Sequence, residues 1–293
     1  MSLAASRPQT MPQQVPGISP AVYGETDFRA IAEIVYASSG NVLPKGKAML
    51  VYSRIAPLVR ESGTATFANY IALIRSDPVQ QARAVAALTT NHTFFYRESH
   101  HFDYFEQQVR PAILRKLAGG EPVRLWSAGC SSGEETWSLV MALLGAGRLE
   151  GRRIARGDVR VLASDLAPHA LVKARAATYP AKDLKPVPSD LVQHWTQQDG
   201  ETVSIGEDAR SIVRFRSLNL LQDWPMRGKF DAIFCRNVMI YFDHETKERL
   251  VARFAEKLLP GANLFIGHSE RVTGPAAKLL ESVGPTIYRR RMP

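Results

Sequence analysis

The sequence predicts an α/β protein, in which a small N-terminal all-helical domain precedes a Rossmann-like parallel sheet that carries a small antiparallel β insert. Three observations support this class. From residue 122 onward, short apolar runs alternate with amphipathic helical patterns, which is typical of a parallel sheet with helices on both faces. Residues 21–90 show helical spacing alone. Asp199-Gly200 lies between two short strand-like runs and predicts a hairpin.

The pattern divides the chain into four segments. Residues 1–20 are rich in Pro, Gln and Ser, which predicts a disordered tail. Residues 21–90 form the helical domain, and residues 91–121 form a connecting segment with a helix. Residues 122–293 form the sheet domain, with the antiparallel insert at about residues 182–216.

Each element has its own local signal. Phe28, Ile31, Ile34 and Val35 follow helical spacing, and Asp77-Pro78 marks the start of a further helix. Gly119-Gly120 ends the connecting helix. Strands of the sheet are predicted at 123–126, 159–163, 212–215, 230–235 and 262–266, with a last edge strand at 286–290.

Composition narrows the function classes. Hydrophobic residues make up 45% of the 293 residues, and no run approaches the roughly 18 apolar residues of a membrane span. The net charge is +9, but the basic residues are scattered, so nucleic acid is not the expected partner. The chain has only two cysteines, Cys130 and Cys235, which excludes a disulfide framework and fits a cytoplasmic protein. A redox pair is conceivable, but packing residues are the stronger interpretation.

A small-residue turn, residues 127–135 (SAGCSSGEE), follows the first strand. Such a turn lets the backbone approach a ligand closely. It contains neither GxGxxG nor the Gly-Lys-Ser/Thr of a P-loop, so a dinucleotide or phosphate loop is poorly supported. The spacings Ser131…Glu134 and Ser132…Glu135 also fit capping boxes. A helix cap and a ligand site therefore remain equal alternatives here.

Two further strand ends carry polar residues. Asp165 ends the second strand, where a carboxylate commonly accepts hydrogen bonds from ribose hydroxyls, although a helix cap or turn is the alternative. In the run 230–243 (FDAIFCRNVMIYFD), Asn237 and Tyr241 follow a buried strand. Ligands of open α/β sheets bind beyond such carboxyl ends. No role for Arg236 emerges from the sequence.

Metal and nucleophile chemistry find no support. His100 and His101 are adjacent, and no third ligand is spaced nearby, so no metal site is predicted. No G-x-S-x-G or HExxH occurs, and neither cysteine has an evident His partner. A reaction that requires neither a strong base nor a metal would suit this chain.

With these motifs in place, the chain resembles the chemotaxis receptor glutamate methyltransferases, the CheR family. The resemblance spans about residues 21–290. It rests on six motifs in order: TTNHTFFYRE at 89–98, SAGCSSGEE at 127–135, ASDLAPHALVKAR at 163–175, NLL at 219–221, FDAIFCRNVMIYFD at 230–243 and GHSE at 267–270.

The resemblance implies a class I methyltransferase that uses S-adenosylmethionine and releases S-adenosylhomocysteine. The acceptors would be glutamates on the cytoplasmic helices of methyl-accepting chemoreceptors, converted to glutamyl methyl esters for sensory adaptation. Arg97 and Tyr241 would flank the methyl group and the incoming carboxylate. The implied cofactor-contacting residues are Asn91, Thr93, Arg97, Glu135, Asp165, Asn219, Leu220, Asn237 and Val238.

The helical domain would then hold the acidic receptor helix through basic residues. Lys45, Lys47, Arg54 and Arg60 are the candidates. The alternative is an ordinary solvated face, since residues 1–90 contain eight Lys/Arg against five Asp/Glu.

Some family members also bind a C-terminal receptor peptide at the edge of the antiparallel insert, which in those members has an extra glycine-bearing loop. The hairpin here is short, so we expect independence from a receptor pentapeptide. A dehydrogenase and a nucleic-acid methyltransferase are weaker alternatives. The main alternative is a catalytically weak scaffold that binds S-adenosylmethionine or S-adenosylhomocysteine. The receptor, the glutamates, the pathway and the oligomeric state stay open.

Overall fold

A computed structural model describes residues 19, 21–89 and 92–292. The chain divides into two compact units, Met1–Thr89 and Thr90–Pro293. The predicted disordered tail at 1–20 lies outside the described residues except for Ser19. In the described residues, no helix is long and apolar enough to cross a membrane.

The first unit is helical. Thr66 and Asp77 begin two of its helices by accepting backbone N–H groups from Asn69 and from Val79 and Gln80, respectively. The predicted apolar stripe is buried. Its helices are α1 (Glu25–Ser39), α2 (Ala48–Glu61), α3 (Phe67–Ser76) and α4 (Pro78–Leu88), with a 3₁₀ turn at Lys45–Lys47.

The second unit alternates helices with strands, as predicted. Its helices are α5 (His100–Tyr104), α6 (Arg110–Ala118), α7 (Glu134–Leu144), α8 (Arg148–Arg156), α9 (Pro168–Ala176), α10 (Ser189–Trp195), α11 (Glu207–Ser211), α12 (His244–Lys257) and α13 (Ala276–Leu279). A π-helical turn, Phe105–Val109, links α5 to α6, and 3₁₀ turns occur at Ala181–Leu184 and Met239–Tyr241.

The strands of the second unit form two sheets. They are β1 (Val123–Ala128), β2 (Val159–Asp165), β3 (Thr178–Pro180), β4 (Thr196–Asp199), β5 (Thr202–Ile205), β6 (Val213–Ser217), β7 (Phe230–Cys235), β8 (Leu258–Ile266), β9 (Leu280–Gly284) and β10 (Ile287–Arg290).

The described residues build a seven-stranded sheet in the order β6-β2-β1-β7-β8-β10-β9. The pairs from β6 to β8 are parallel, and β10 runs antiparallel to both β8 and β9. This confirms the predicted fold class. The prediction that 286–290 is an edge strand is wrong, because β9 covers β10 and is itself the edge.

The antiparallel insert is a three-stranded sheet in the order β3-β5-β4. The predicted hairpin at Asp199-Gly200 is present between β4 and β5. The insert differs from the predicted range 182–216 at both ends. Its first strand begins at Thr178, and β6 instead pairs in parallel with β2 in the main sheet.

Two hydrophobic clusters form the core of the second unit. Alternate residues of β1 divide between them: Leu125 belongs to one, and Trp126 to the other. Cys130 and Cys235 also belong to different clusters, and burial raises the pKa of both thiols well above the ordinary value. Both cysteines therefore pack as apolar residues in this structure.

Candidate active site

The carboxyl ends of three neighbouring parallel strands define the candidate site. β1, β2 and β7 end at Ala128, Asp165 and Cys235, side by side in the sheet. Open α/β sheets bind ligands at this edge.

The turn after β1 is held by backbone hydrogen bonds. The N–H groups of Gly129 and Cys130 donate to the Ser164 carbonyl at 2.7 and 2.9 Å. Gly129 has φ +78°, and a Cβ at this position would overlap Val238 Cγ2. Only glycine therefore suits this turn.

The N-cap residue of α7 is neither Ser131 nor Ser132. Gly133 caps α7 without a side-chain hydrogen bond. The Ser132 hydroxyl instead donates to Glu134 Oε2 at 2.7 Å. The cap alternative for this turn therefore loses its main support.

Asp165 joins two segments at this edge. Its Oδ2 accepts the Ser131 N–H and its Oδ1 accepts the Ala167 N–H, both at 2.8 Å. Burial raises the pKa of this carboxyl group. Each carboxylate oxygen can accept a further hydrogen bond, so the local turn role and a ligand role are compatible.

Arg236 is the centre of the site's charge network. Its side chain is 1% exposed, and its guanidinium nitrogens lie 3.3 Å from Glu98 Oε2 and 3.6 Å from Glu135 Oε2. It also donates to the Arg97 carbonyl. Arg236 thereby joins the end of β7, the first turn of α7 and the segment before α5.

Glu98 and Glu135 differ in their surroundings. Burial opposes ionisation of Glu98, but Arg236, the His268 N–H and the Asn237 amide outweigh it and lower its pKa to about 2. Burial dominates for Glu135 and raises its pKa, despite Arg236 and a 2.8 Å hydrogen bond from Ser127.

The segment after β7 is fixed by Glu270 of the GHSE motif. This buried carboxylate accepts the N–H groups of Met239 at 2.8 Å, Gly267 at 2.6 Å and Asn237 at 3.3 Å. Asn237 has φ +59°, and a Cβ on Gly267 would lie 2.6 Å from its backbone nitrogen. Close packing of the two motifs explains both Gly267 and Glu270.

The other predicted site residues lie in three segments of the chain. Asn91 lies outside the described residues. Thr93 is partly buried, and Arg97 lies with its guanidinium carbon 5.6 Å from the Phe94 ring centre. Asn219, Leu220 and Tyr241 follow β6 and β7, and Asn219 Oδ1 accepts the Leu221 N–H at 3.0 Å.

Arg236, Glu98 and Glu270 were not among the predicted site residues. An arginine directly after six buried strand residues is the one available signal, because such a charge needs a buried counter-charge. No metal-binding group occurs among the described residues. His101 is fully buried, and its Nε2 lies 2.9 Å from Thr286 Oγ1.

The four residues of the helical unit that were predicted to bind the receptor differ in their surroundings. Arg54 donates to the carbonyls of Ala87 and Thr89 at 3.2 and 2.9 Å, where α4 ends. Lys45 pairs with Glu25 at 3.2 Å. Lys47 and Arg60 are exposed. Arg54 therefore has a structural role that the sequence did not indicate.

Comparison with known proteins identifies the chain. The CheR methyltransferase SAM-binding domain matches residues 91–288, and the CheR all-alpha domain matches residues 26–89. Together with the sheet and its carboxyl edge, this defines an S-adenosylmethionine-dependent methyltransferase. The protein belongs to the CheR methyltransferase family, as the sequence motifs predicted.

Curated relatives cover nearly the whole chain. This chain is 38% identical over 286 residues to chemotaxis protein methyltransferase 2 of Pseudomonas aeruginosa. The matched region covers 96% of this chain and 99% of the relative. A probable chemotaxis protein methyltransferase of Rhizobium etli is 37% identical, covering 87% of this chain and 96% of the relative. The chemotaxis protein methyltransferase of Borreliella burgdorferi is 35% identical, covering 90% and 94% respectively.

Proposed function

We propose that this protein transfers a methyl group from S-adenosylmethionine to glutamate side chains on the cytoplasmic helices of chemoreceptors, forming glutamyl methyl esters. The observation that carries this proposal is the position of Arg97. Arg236 binds the Arg97 carbonyl and is itself held between Glu98 and Glu135 at the end of β7. This contact fixes the Arg97 backbone near the end of β7, while the partly exposed Arg97 side chain donates to the His92 carbonyl at 3.3 Å.

The donors and acceptors at this edge suit the cofactor. S-adenosylmethionine carries ribose hydroxyls and an ammonium group, all of which donate hydrogen bonds to carboxylates. Asp165 and Glu135 supply carboxylates, and the turn at Gly129 provides close backbone approach. We assign cofactor contacts to Asn91, Thr93, Arg97, Glu135, Asp165, Asn219, Leu220, Asn237 and Val238.

The proposed reaction needs alignment more than proton transfer. A glutamate with an unperturbed pKa of about 4.3 is already ionised at neutral pH, so its oxygen can attack without a general base. The bound cofactor supplies an electrophilic methyl group on a positively charged sulfur. The remaining task is to orient the carboxylate in line and exclude water. We assign that task to Arg97 and Tyr241.

Methyl transfer to receptor-containing membranes tests this assignment. Alkaline release of labelled methanol identifies the ester product. We expect Arg97→Ala to lower kcat/KM by about 100-fold, the scale of a misplaced reactant. Tyr241→Phe should lower it by about tenfold, the scale of one lost hydrogen bond.

Calorimetry with S-adenosylhomocysteine separates orientation from cofactor binding. Tyr241→Phe should bind the product with nearly wild-type affinity, because only the acceptor's alignment is changed. Wild-type turnover in both variants would refute the role assignment. Transfer that leaves no alkali-labile methyl group would refute the glutamyl ester itself.

We further propose that the enzyme needs no receptor C-terminal pentapeptide. The hairpin between β4 and β5 is closed by Gly200 and Glu201 alone, without an added loop at the edge strand β4. Calorimetric titration with a receptor C-terminal pentapeptide should show no binding in the micromolar range. Micromolar binding would overturn this part of the proposal.

A further inference from the structure

One face of the main sheet is open to solvent at its β6 edge. Parallel strands are normally buried on both faces, and β7 follows this rule at every position. β2 and β6 depart from it, because buried residues alternate with the exposed arginines Arg160, Arg214 and Arg216. These three residues are called the arginine face below.

The connection from β6 to β7 explains why this face is open. A crossover between parallel strands usually contains a helix that covers the sheet. Residues 218–229, all within the described part of the chain, contain no helix. Trp224 from this connection packs on Trp126 of β1, with ring centres 4.8 Å apart, and Arg253 covers Trp224.

Strand register places the arginines on the same face. Arg160 is opposite Arg124, Arg214 is opposite Leu162, and Arg216 is opposite Ser164. Trp126 lies opposite Leu162 as well, so this is the Trp126 side of the sheet. The arginine face thus spans two strands and continues to Arg124 on β1.

The charge of this face is largely uncompensated. Arg124 pairs with Asp158 at 2.8 Å, but no ion pair in the described ranges includes a member of the arginine face. Each guanidinium donates through one nitrogen to nearby carbonyls: Arg160 to Val159, Arg214 to both Ser211 and Val213, and Arg216 to Phe215. The remaining N–H groups are placed to bind carboxylates.

We infer that the arginine face is a docking surface for an acidic helical segment of a protein partner. The proposed function supplies the partner's class, since chemoreceptor helices bearing acceptor glutamates are acidic. Three neighbouring strands give a width of about 10–15 Å, which matches the roughly 10–12 Å diameter of one helix. Charge complementarity would hold that helix beside the carboxyl edge of the sheet.

Other occupants fit less well. A second copy of this chain would bring like charges together, which opposes association. A DNA duplex normally buries at least about 600–1,000 Å² of protein, several times the area of a patch about 15 Å on a side. The small area and the sheet-bound guanidinium groups therefore favour a single acidic helix.

Binding of fluorescent poly-L-glutamate tests the inference with the full chain. The test variant is Arg160→Glu with Arg214→Glu. Arg216 is left unchanged because it lies closest to the cofactor edge. The matched control is Arg115→Glu with Lys278→Glu, which changes the net charge equally at two exposed sites of the same unit. If charge reversal prevents folding, the double variant Arg160→Gln with Arg214→Gln replaces it as the test variant.

We expect the test variant to bind poly-L-glutamate about tenfold more weakly, whereas the control should change by less than about twofold. Equal losses in both variants would overturn the inference. The inference would also be overturned if Arg160 and Arg214 affected the binding of duplex DNA or of phosphatidylglycerol vesicles but not the binding of poly-L-glutamate.

Two further measurements separate this inference from the proposed function. Both variants should bind S-adenosylhomocysteine like the wild type. If poly-L-glutamate binding falls as expected while the wild type transfers no methyl group to receptor membranes, the docking surface stands and the proposed reaction fails.

Discussion

At the scale of single residues, the charge balance around Arg236 determines how the site is held. The guanidinium lies between Glu98 and Glu135, and its carbon is 5.6 Å from the centre of the Phe102 ring. A buried charge is tolerated only when it is paired and hydrogen-bonded. Three segments of the chain therefore depend on one side chain for electrostatic compensation.

Replacing this side chain should be costly. Arg236→Met leaves the buried Glu135 carboxylate and the partly buried Glu98 carboxylate without their shared counter-charge, so we expect the free energy of unfolding to fall by about 3–5 kcal/mol. Urea denaturation measures this loss. The exposed pair of Arg249 and Glu245 provides the comparison, and Arg249→Met should cost less than about 1 kcal/mol.

A second substitution distinguishes charge from packing. Adding Glu98→Gln to Arg236→Met removes one of the unpaired carboxylates, so part of the lost stability should return. A loss for Arg236→Met no larger than that of Arg249→Met would contradict the proposed compensation.

His101 makes the same region sensitive to pH. Burial, Arg236 and His100 lower its pKa from 6.5 to about 3, whereas Glu98 opposes the shift. The folded protein therefore keeps this ring neutral between these values, while the unfolded chain binds a proton. His101 thus makes the folded state less stable as pH falls from 6.5 towards 3.

His101→Gln removes this titration while keeping a polar side chain opposite Thr286. We expect its unfolding free energy to approach that of the wild type as the pH falls from about 7 to about 4. Denaturation at a series of pH values measures the difference. A pH-independent difference for His101→Gln would contradict the buried neutral ring.

At the scale of elements, α8 illustrates packing that overrides helix propensity. Gly151 lies in this helix, and a Cβ there would overlap the Trp195 ring of α10 and lie 2.8 Å from the Leu144 carbonyl at the end of α7. Trp195 Nε1 donates to the Gly145 carbonyl at 2.8 Å. The glycine therefore lets three helices meet closely.

Gly151→Ala should destabilise the protein, although the helix propensity of alanine is more favourable than that of glycine by about 1 kcal/mol. Overpacking at the Trp195 ring typically costs about 1–3 kcal/mol and should exceed that gain. Chemical denaturation checks the sign. A Cβ on Gly228 meets no atom within 4 Å, so Gly228→Ala should change stability by less than about 0.5 kcal/mol.

The elements also show what local sequence can and cannot predict. β7 is buried at every position, so its apolar run is visible in the sequence. β9 contains Glu281 and Ser282 and lacks such a run, so it was missed. The position of Asp165 at the carboxyl end of β2 could be predicted because an apolar run precedes it. Arg236 could not be interpreted because its contact with Arg97 spans 139 residues.

At the scale of the whole molecule, the net charge of +9 is divided among residues with different tasks. Arg236 is buried in the second unit, and Arg54 of the helical unit holds the end of α4. Charge reversal at Arg54 would therefore disturb α4 and report poorly on receptor binding. Lys47 and Arg60, which are exposed, give the cleaner test of the helical unit.

Lys47→Glu and Arg60→Glu should each lower kcat/KM for receptor methylation by about fivefold, because each replaces attraction for an acidic helix with repulsion. The effect should shrink as salt rises, since exposed charges are screened. Affinity for S-adenosylhomocysteine should not change. Arg75→Glu reverses another exposed charge of the same unit and should have a smaller effect. Equal losses in all three variants would indicate a general charge effect, and wild-type methylation by Lys47→Glu and Arg60→Glu would exclude both residues from receptor binding.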